Sequence, residues 1–80
     1  MKILILGSGQ VGSTVAQNLA SVSSNDVTVI DIDEKALQHI GSRLDVQTIL
    51  GNGASPFILE QAGAAGSDLL LALTRSDETN

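Results

Sequence analysis

Three closely spaced glycines limit the fold of this chain more than any other feature. Gly7, Gly9 and Gly12 have the spacing G-x-G-x-x-G and directly follow the apolar run KILIL at residues 2–6. After them, residues 10–20 carry apolar side chains at helical intervals. This order predicts a buried strand, a tight turn and a helix, with the glycines allowing the chain to turn and the helix to pack close to the strand.

The alternation of strand and helix recurs along the remaining sequence. Further short apolar runs occupy residues 27–31, 46–50 and 68–73, and segments with an amphipathic helical pattern lie between them. Apolar runs without strict polar alternation are typical of parallel strands that are covered on both faces. We therefore predict an α/β fold with the order β-α-β-α-β-α-β, in which residues 46–50, the most mixed run, form an edge strand.

The expected architecture is a Rossmann-like, doubly wound parallel sheet with the strand order 3-2-1-4. Right-handed crossovers place the first two helices on one face of this sheet and the third helix on the other. The third helix is expected to begin with Ser55 as its cap and Pro56 in its first turn, and to end at Gly63. Its predicted buried side chains are Phe57, Ile58, Leu59 and Ala62.

The predicted sheet is incomplete, because a full doubly wound sheet has further strands beyond the fourth. Residues 68–73 are the most hydrophobic run, yet they would form an open edge, which invites pairing with another chain. Residues 1–80 are thus expected to be the N-terminal part of a Rossmann-type nucleotide-binding domain. They are either a fragment of a longer protein or a unit that is completed by self-association.

Charge and composition exclude several classes of function. The net charge is −5 with only four Lys and Arg residues, so the chain lacks the basic cluster that nucleic-acid binding needs. The absence of cysteine excludes thiol chemistry and is consistent with a reducing cytoplasm. No apolar run approaches the roughly 20 residues that span a bilayer, so direct membrane insertion is not expected.

The glycine loop is a candidate site for phosphate groups. In this fold the first glycine permits the turn, the second leaves room for a pyrophosphate, and the third lets the helix approach the strand. The free N–H groups of the first helical turn then point towards the phosphates. The predicted phosphate loop comprises Gly7, Ser8, Gly9, Gln10, Val11 and Gly12; the alternative is a tight turn without a ligand.

An acidic residue at the end of the second strand is the next candidate. Asp31 follows Gly12 by 19 residues, at the position where a carboxylate accepts hydrogen bonds from the adenosine ribose hydroxyls. Its charge would repel a 2′-phosphate and so favours NAD(H) over NADP(H), although Lys35 nearby could tolerate that phosphate. A solvated acid at a strand end is the alternative for Asp31. Asp33 is first of all a predicted cap of the second helix, with ligand contact as the alternative.

The later loops contribute the remaining candidates, since ligands of open α/β sheets bind beyond the carboxyl ends of the strands. Gly51 and Asn52 are predicted to lie along the adenine, and Thr74 to approach the phosphates or the far ribose. A plain turn or cap is an equal alternative for each. No residue resembles a catalyst or a metal ligand: His39, the only histidine, is predicted on the exposed face of the second helix. The chain is therefore not expected to be an enzyme.

Together these segments resemble the N-terminal nucleotide-binding domain of Trk-type potassium-uptake regulators, the KTN or RCK domain family. The resemblance covers the whole chain. It rests on Gln10 and Val11 within the glycine loop, the D-x-D segment at 31–33, the loop GNGASP at 51–56, and the ending A-x-T-x-x-D-E-x-N at 72–80. The last motif is the most specific, because it is rarely seen in dehydrogenases.

The resemblance implies a cytoplasmic regulatory subunit that is held at the inner face of the plasma membrane by a membrane potassium-transporter subunit. Such domains form homodimers or higher oligomers and bind NAD or NADH, or alternatively ATP and ADP, to control ion flow. Carried over, the phosphate loop spans residues 7–12 and Asp31 is the ribose acid, with Ile32 and Asp33 beside it. Asn52 stands where many relatives have an acid, which leaves the adenine preference open. The second interpretation is the cofactor-binding N-terminal fragment of an NAD-dependent oxidoreductase.

Overall fold

The fold was analysed in a computed structural model that describes residues 1–7, 10–53 and 55–73, with residues 10 and 11 described through their backbone. The elements follow each other in the predicted alternation of strand and helix. A short 3-10 turn, absent from the sequence prediction, precedes the last strand. The bounds are β1 Lys2–Leu6, α1 Gln10–Ala20, β2 Asp26–Asp31, α2 Glu34–Arg43, β3 Gln47–Leu50, α3 Pro56–Ala62, the 3-10 turn Ala64–Gly66, and β4 Leu69–Ala72.

The strands of the described residues form one parallel sheet in the order β3-β2-β1-β4. Ile5 of β1 lies beside Val29 of β2 on one side and Leu71 of β4 on the other, while β2 and β3 are aligned through Ile30 and Ile49. The predicted order 3-2-1-4 and the Rossmann-like α/β class are thereby confirmed. Residues 47–50 form an edge strand, as the mixed composition of that run indicates.

Two apolar clusters cover the two faces of the sheet. The odd-numbered side chains of β1 and β2 pack with α1 and α2 in the larger cluster, whose buried members are Ile3, Ile5, Ala16, Val27, Val29, Leu37 and Ile40. The even-numbered side chains pack with α3 in a smaller cluster whose buried members are Leu4, Ile30 and Ala62. The first two helices therefore share one face and the third helix lies on the other, as the right-handed crossovers require.

The α3 helix corrects part of the sequence prediction. Ile58 and Leu59 are partly buried against the smaller cluster, but Phe57 is 73% exposed, so it does not belong to the buried face. Ser55 occupies the N-cap position without a capping hydrogen bond from its side chain, and Pro56 is in the first turn as predicted. Gly63 ends the helix in the left-handed region with φ 81°, which confirms the predicted stop.

The start of α2 is fixed by a side-chain cap. Asp33 Oδ1 accepts hydrogen bonds from the backbone N–H of Lys35 at 3.0 Å and of Ala36 at 3.3 Å. These are N–H groups that have no partner within the helix, so their capping stabilises the first turn. The predicted role of Asp33 as a helix cap is confirmed.

Replacing the cap should weaken the fold measurably. We expect Asp33→Ala to lower the free energy of unfolding by about 1 kcal/mol, because two N–H groups lose their acceptor. Urea denaturation followed by circular dichroism measures the change. Glu60→Ala on α3 is the control, since Glu60 is an exposed acid whose loss should change stability by less than about 0.5 kcal/mol. Equal losses in the two variants would contradict the capping role.

Candidate functional site

Backbone hydrogen bonds draw three loops together at the carboxyl edge of the sheet. The N–H of Gly7, just after β1, donates to the carbonyl of Ile30 at 2.7 Å, and the N–H of Gly51, just after β3, donates to the carbonyl of Asp31 at 2.9 Å. On the other side of β1, the N–H of Leu73 donates to the carbonyl of Leu6 at 2.9 Å. The ends of the central strands thus anchor the segments that were predicted to form the site.

Gly7 has a backbone conformation that only glycine adopts easily. Its φ is +100°, and a Cβ at this position would overlap the carbonyl oxygen of Leu73. The chain turns away from β1 at this point and passes directly beside the end of β4. Both the dihedral angle and the close approach support the predicted need for glycine at the first position of the motif.

Gly12 permits a second close approach, between α1 and the start of the loop. A Cβ on Gly12 would overlap the carbonyl oxygen of Gly7 and would lie 3.8 Å from Leu73 Cδ1. The first turn of α1 therefore sits directly against the end of β1. This agrees with the predicted role of the third glycine, which is to let the helix pack close to the strand.

The amino end of α1, the helix that follows the glycine loop, carries no negatively charged side chain. α1 begins at Gln10, and its first turn contains no acidic residue. The N–H groups of a first turn and the positive end of the helix dipole favour an anion. Of the remaining predicted loop residues, Ser8 and Gly9 lie outside the described residues, as do the side chains of Gln10 and Val11.

Asp31 lies at the end of β2, next to the glycine loop. Its side chain is partly buried, and its Oδ1 accepts a hydrogen bond from the N–H of Asp33 at 3.0 Å. This bond holds the carboxylate at the mouth of the β2–α2 loop. Ile32, between the two acids, is 74% exposed. The structure therefore brings Asp31 and Ile32 to the same edge as Gly7, while the carboxylate of Asp33 serves the helix.

The loop after β3 packs closely on its surroundings. A Cβ on Gly51 would lie 2.8 Å from Ile58 Cδ1, so a larger residue would have to displace the side chain that anchors α3. The carbonyl of Asn52 accepts a hydrogen bond from the N–H of Ser55 at 2.9 Å, and Asn52 itself is exposed at the carboxyl edge. Thr74, the last predicted contact, lies outside the described residues.

The histidine that was not expected to contribute to the site lies away from the glycine loop. His39 is exposed within α2, where its Nε2 lies 3.2 Å from Arg43 Nη1. Across the described residues, no group of three His, Cys, Asp or Glu side chains is arranged to hold a metal ion. None of the helices in residues 1–7, 10–53 and 55–73 is long and apolar enough to cross a bilayer.

Sequence reasoning missed the contribution of β4 to the glycine turn. The carbonyl of Leu73 flanks Gly7, and the side chain of Leu73 approaches Gly12. The signal was available in the predicted strand order, because order 3-2-1-4 makes β4 the neighbour of β1. The run at 68–73 was interpreted only as a hydrophobic edge.

Comparison with known proteins identifies the family. The TrkA-N domain family model matches residues 3–80. Over all 80 residues, the chain is 49% identical to the Trk system potassium uptake protein TrkA of Halomonas elongata and 48% identical to that of Haemophilus influenzae, and it covers 17% of each of these proteins. It is 44% identical to the Trk system potassium uptake protein trkA homolog 1 of Methanosarcina mazei, of which it covers 19%. The chain therefore spans less than one fifth of the length of these relatives. It belongs to the TrkA-N domain family.

Proposed function

We propose that this chain is a regulatory, nucleotide-binding domain of a potassium uptake system, with NAD or NADH as its ligand and ATP or ADP as the alternative. The observation that carries the proposal is the turn at Gly7 and Gly12, where two positions exclude any Cβ and the amino end of α1 meets the end of β1. A turn of this shape leaves backbone N–H groups, rather than side chains, to receive a diphosphate.

The residues of the carboxyl edge fit a dinucleotide. The pyrophosphate is held by the loop between Gly7 and Gly12, and the carboxylate of Asp31 accepts hydrogen bonds from the adenosine ribose. The exposed side chain of Ile32 and the loop at Gly51 and Asn52 flank the adenine. The last predicted contact is Thr74, which lies outside the described residues.

Regulation requires that the ligand distinguishes two states of the protein. We propose that the domain forms a homodimer or higher oligomer on the cytoplasmic side of a membrane potassium transporter, and that the ligands bind its states with different affinity. Only such a difference can shift the equilibrium between states. The names of the relatives, which are potassium uptake proteins, support a role in that system. The position of His39, away from the loop, supports binding without catalysis.

Titration calorimetry with NAD, NADH, ATP and ADP tests the proposal. We expect at least one of the pairs NAD/NADH and ATP/ADP to differ in Kd by about tenfold, which corresponds to about 1.4 kcal/mol of bias between states. NADP is the matched control and should bind more weakly than NAD, because its 2′-phosphate meets Asp31. The absence of heat with all four ligands, or equal affinity for all of them, would exclude nucleotide sensing.

A further inference from the structure

The loop between β3 and α3 contains the only asparagine–glycine pair of the chain, Asn52–Gly53. Asn52 is exposed at the carboxyl edge of the sheet. Asparagine is a thermolabile residue, because the backbone nitrogen of the next residue can attack its side-chain amide. Glycine shields that nitrogen least, since it has no Cβ. The pair therefore places an exposed amide next to an unshielded nucleophile.

The backbone N–H of Gly53 is not engaged by the rest of the fold. Within residues 1–7, 10–53 and 55–73 it donates no backbone hydrogen bond, whereas the N–H of Gly51 is bonded to the carbonyl of Asp31 and that of Ser55 to the carbonyl of Asn52. The nitrogen of Gly53 can therefore approach Cγ of Asn52 without the loss of a backbone hydrogen bond.

The other two asparagines that the structure describes are held differently. The N–H of Asp26, which follows Asn25, donates to the carbonyl of Met1 at 2.8 Å, and the side-chain amide of Asn25 donates to the carbonyl of Leu19 at 2.9 Å. Asn18 lies within α1, where the N–H of the following residue is bonded to the carbonyl four residues earlier. At both positions, attack on the side-chain amide would first break a backbone hydrogen bond.

We propose that Asn52 is a modification site, which converts to aspartate and isoaspartate without an enzyme. The nitrogen of Gly53 forms a bond to Cγ of Asn52, the bond from Cγ to Nδ2 breaks, and the proton of the N–H leaves with Nδ2 as ammonia. Water then opens the resulting cyclic imide and restores the N–H of Gly53. Attack of water at Cγ gives aspartate, and attack at the main-chain carbonyl carbon of residue 52 gives isoaspartate.

Either product adds a carboxylate to the carboxyl edge of the sheet. The net charge becomes one unit more negative than −5, and the new acid directly follows Gly51, which is bonded to Asp31. In isoaspartate, the main-chain carbonyl that accepts the N–H of Ser55 becomes the free carboxylate, and the chain continues through Cγ. The connection to α3 is then longer by a methylene group. The conversion needs no ligand, so it does not depend on the proposed function.

Mass spectrometry of the aged protein tests the proposal. The folded chain is kept in mildly alkaline buffer and digested with trypsin, which leaves Asn52 as the only asparagine in residues 44–75 and places Asn18 and Asn25 in residues 3–35. We expect peptide 44–75 to gain the mass difference between NH₂ and OH and to separate into two products, one of which co-elutes with the Asn52→Asp peptide. Peptide 3–35 should convert at least about tenfold more slowly, because its attacking N–H groups are bonded.

A comparison with the unfolded chain tests the geometry of the loop rather than its sequence. In guanidinium chloride, peptide 44–75 should convert at a rate within about tenfold of the rate in the folded protein, because the folded loop already leaves the N–H of Gly53 available. Slower conversion of the folded protein than this would mean that the loop must first open, and it would overturn the proposal.

Two glycine variants test the role of the nucleophile. Gly53→Ala should slow the conversion at least about tenfold, because the added Cβ shields the nitrogen. That Cβ would lie 3.3 Å from Leu6 Cδ2, the end of a flexible side chain, and circular dichroism checks that the variant folds. Gly66→Ala adds the same methyl group where a Cβ meets nothing within 4 Å, and should leave the rate unchanged. The proposal is also overturned if peptide 44–75 keeps its mass, if both peptides convert equally, or if Gly53→Ala converts as fast as the unmodified protein.

Discussion

Replacing Gly7 with alanine is expected to lower the free energy of unfolding by about 2–4 kcal/mol, the sum of backbone strain and a backbone overlap. The φ of +100° is a conformation that alanine rarely adopts, and the added Cβ would meet the carbonyl oxygen of Leu73. That oxygen is part of the backbone and cannot rotate away. Because the stability of an 80-residue domain is about 4–12 kcal/mol, the loss is a large fraction of the total. Urea denaturation measures it.

Gly66→Ala is the matched control for this substitution. Gly66 lies in the 3-10 turn, and a Cβ there meets nothing within 4 Å. Its replacement should change stability by less than about 1 kcal/mol, because the added Cβ meets no atom and alanine restricts the unfolded chain. If Gly7→Ala lowered the free energy of unfolding no more than Gly66→Ala does, this would contradict the close approach of the glycine loop to the end of β4.

The sheet could be predicted from the sequence because its strands are short apolar runs, whereas the segments between them carry apolar side chains at helical intervals. The run at 2–6 gave the bounds of β1, and the runs at 27–31 and 46–50 gave those of β2 and β3 to within one residue. The strand order 3-2-1-4 followed from the Rossmann-like architecture that this alternation predicts, and right-handed crossovers then assigned the helices to the two faces of the sheet. His39 was also predicted correctly as exposed, since the buried stripe of α2 passes through Leu37 and Ile40.

The errors occurred where long-range packing decides the outcome. Phe57 has the composition of a core residue, yet it is exposed, because the contacts of α3 with the sheet begin at Ile58 and Leu59. The 3-10 turn at Ala64–Gly66 escaped prediction because three small residues show no apolar period. Ser55 was expected to cap through its side chain, but the start of α3 is formed with Pro56 and without that bond.

The backbone geometry of the site could be predicted from the sequence, but the residues that surround the glycine turn could be predicted less well. The spacing of the glycines was enough to assign a turn to Gly7 and a close approach to Gly12, and the geometry agrees with both. The part played by Leu73 depends on a residue more than sixty positions away in the chain, so no local pattern contains it. The roles of Ser8, Gly9 and Thr74 stay predictions, since these residues lie outside the described ranges.

Replacing Asp31 is expected to have the largest effect on ligand affinity. The carboxylate lies at the end of β2, oriented by its bond from the N–H of Asp33, where a ribose beyond the glycine loop would reach it. A hydrogen bond to a charged acceptor contributes about 1.5–3 kcal/mol, so Asp31→Ala should raise the Kd for NAD about 10- to 100-fold. The same substitution removes the repulsion of a 2′-phosphate, and the preference for NAD over NADP should shrink. Calorimetry with both ligands measures the two effects.

Two further variants distinguish ribose binding from a change in the loop. Asp31→Asn keeps an oxygen that can accept the N–H of Asp33 but removes the charge, so the loop should persist while NAD affinity still falls. Asp26→Ala removes an exposed acid from the opposite end of the same strand and should leave the affinity unchanged. If Asp31→Asn binds NAD as tightly as the unmodified protein, the negative charge of Asp31 does not contribute to binding the ribose. If Asp26→Ala weakens binding as much as Asp31→Ala, the effect comes from net charge alone, because the two variants differ only in which end of β2 loses its carboxylate.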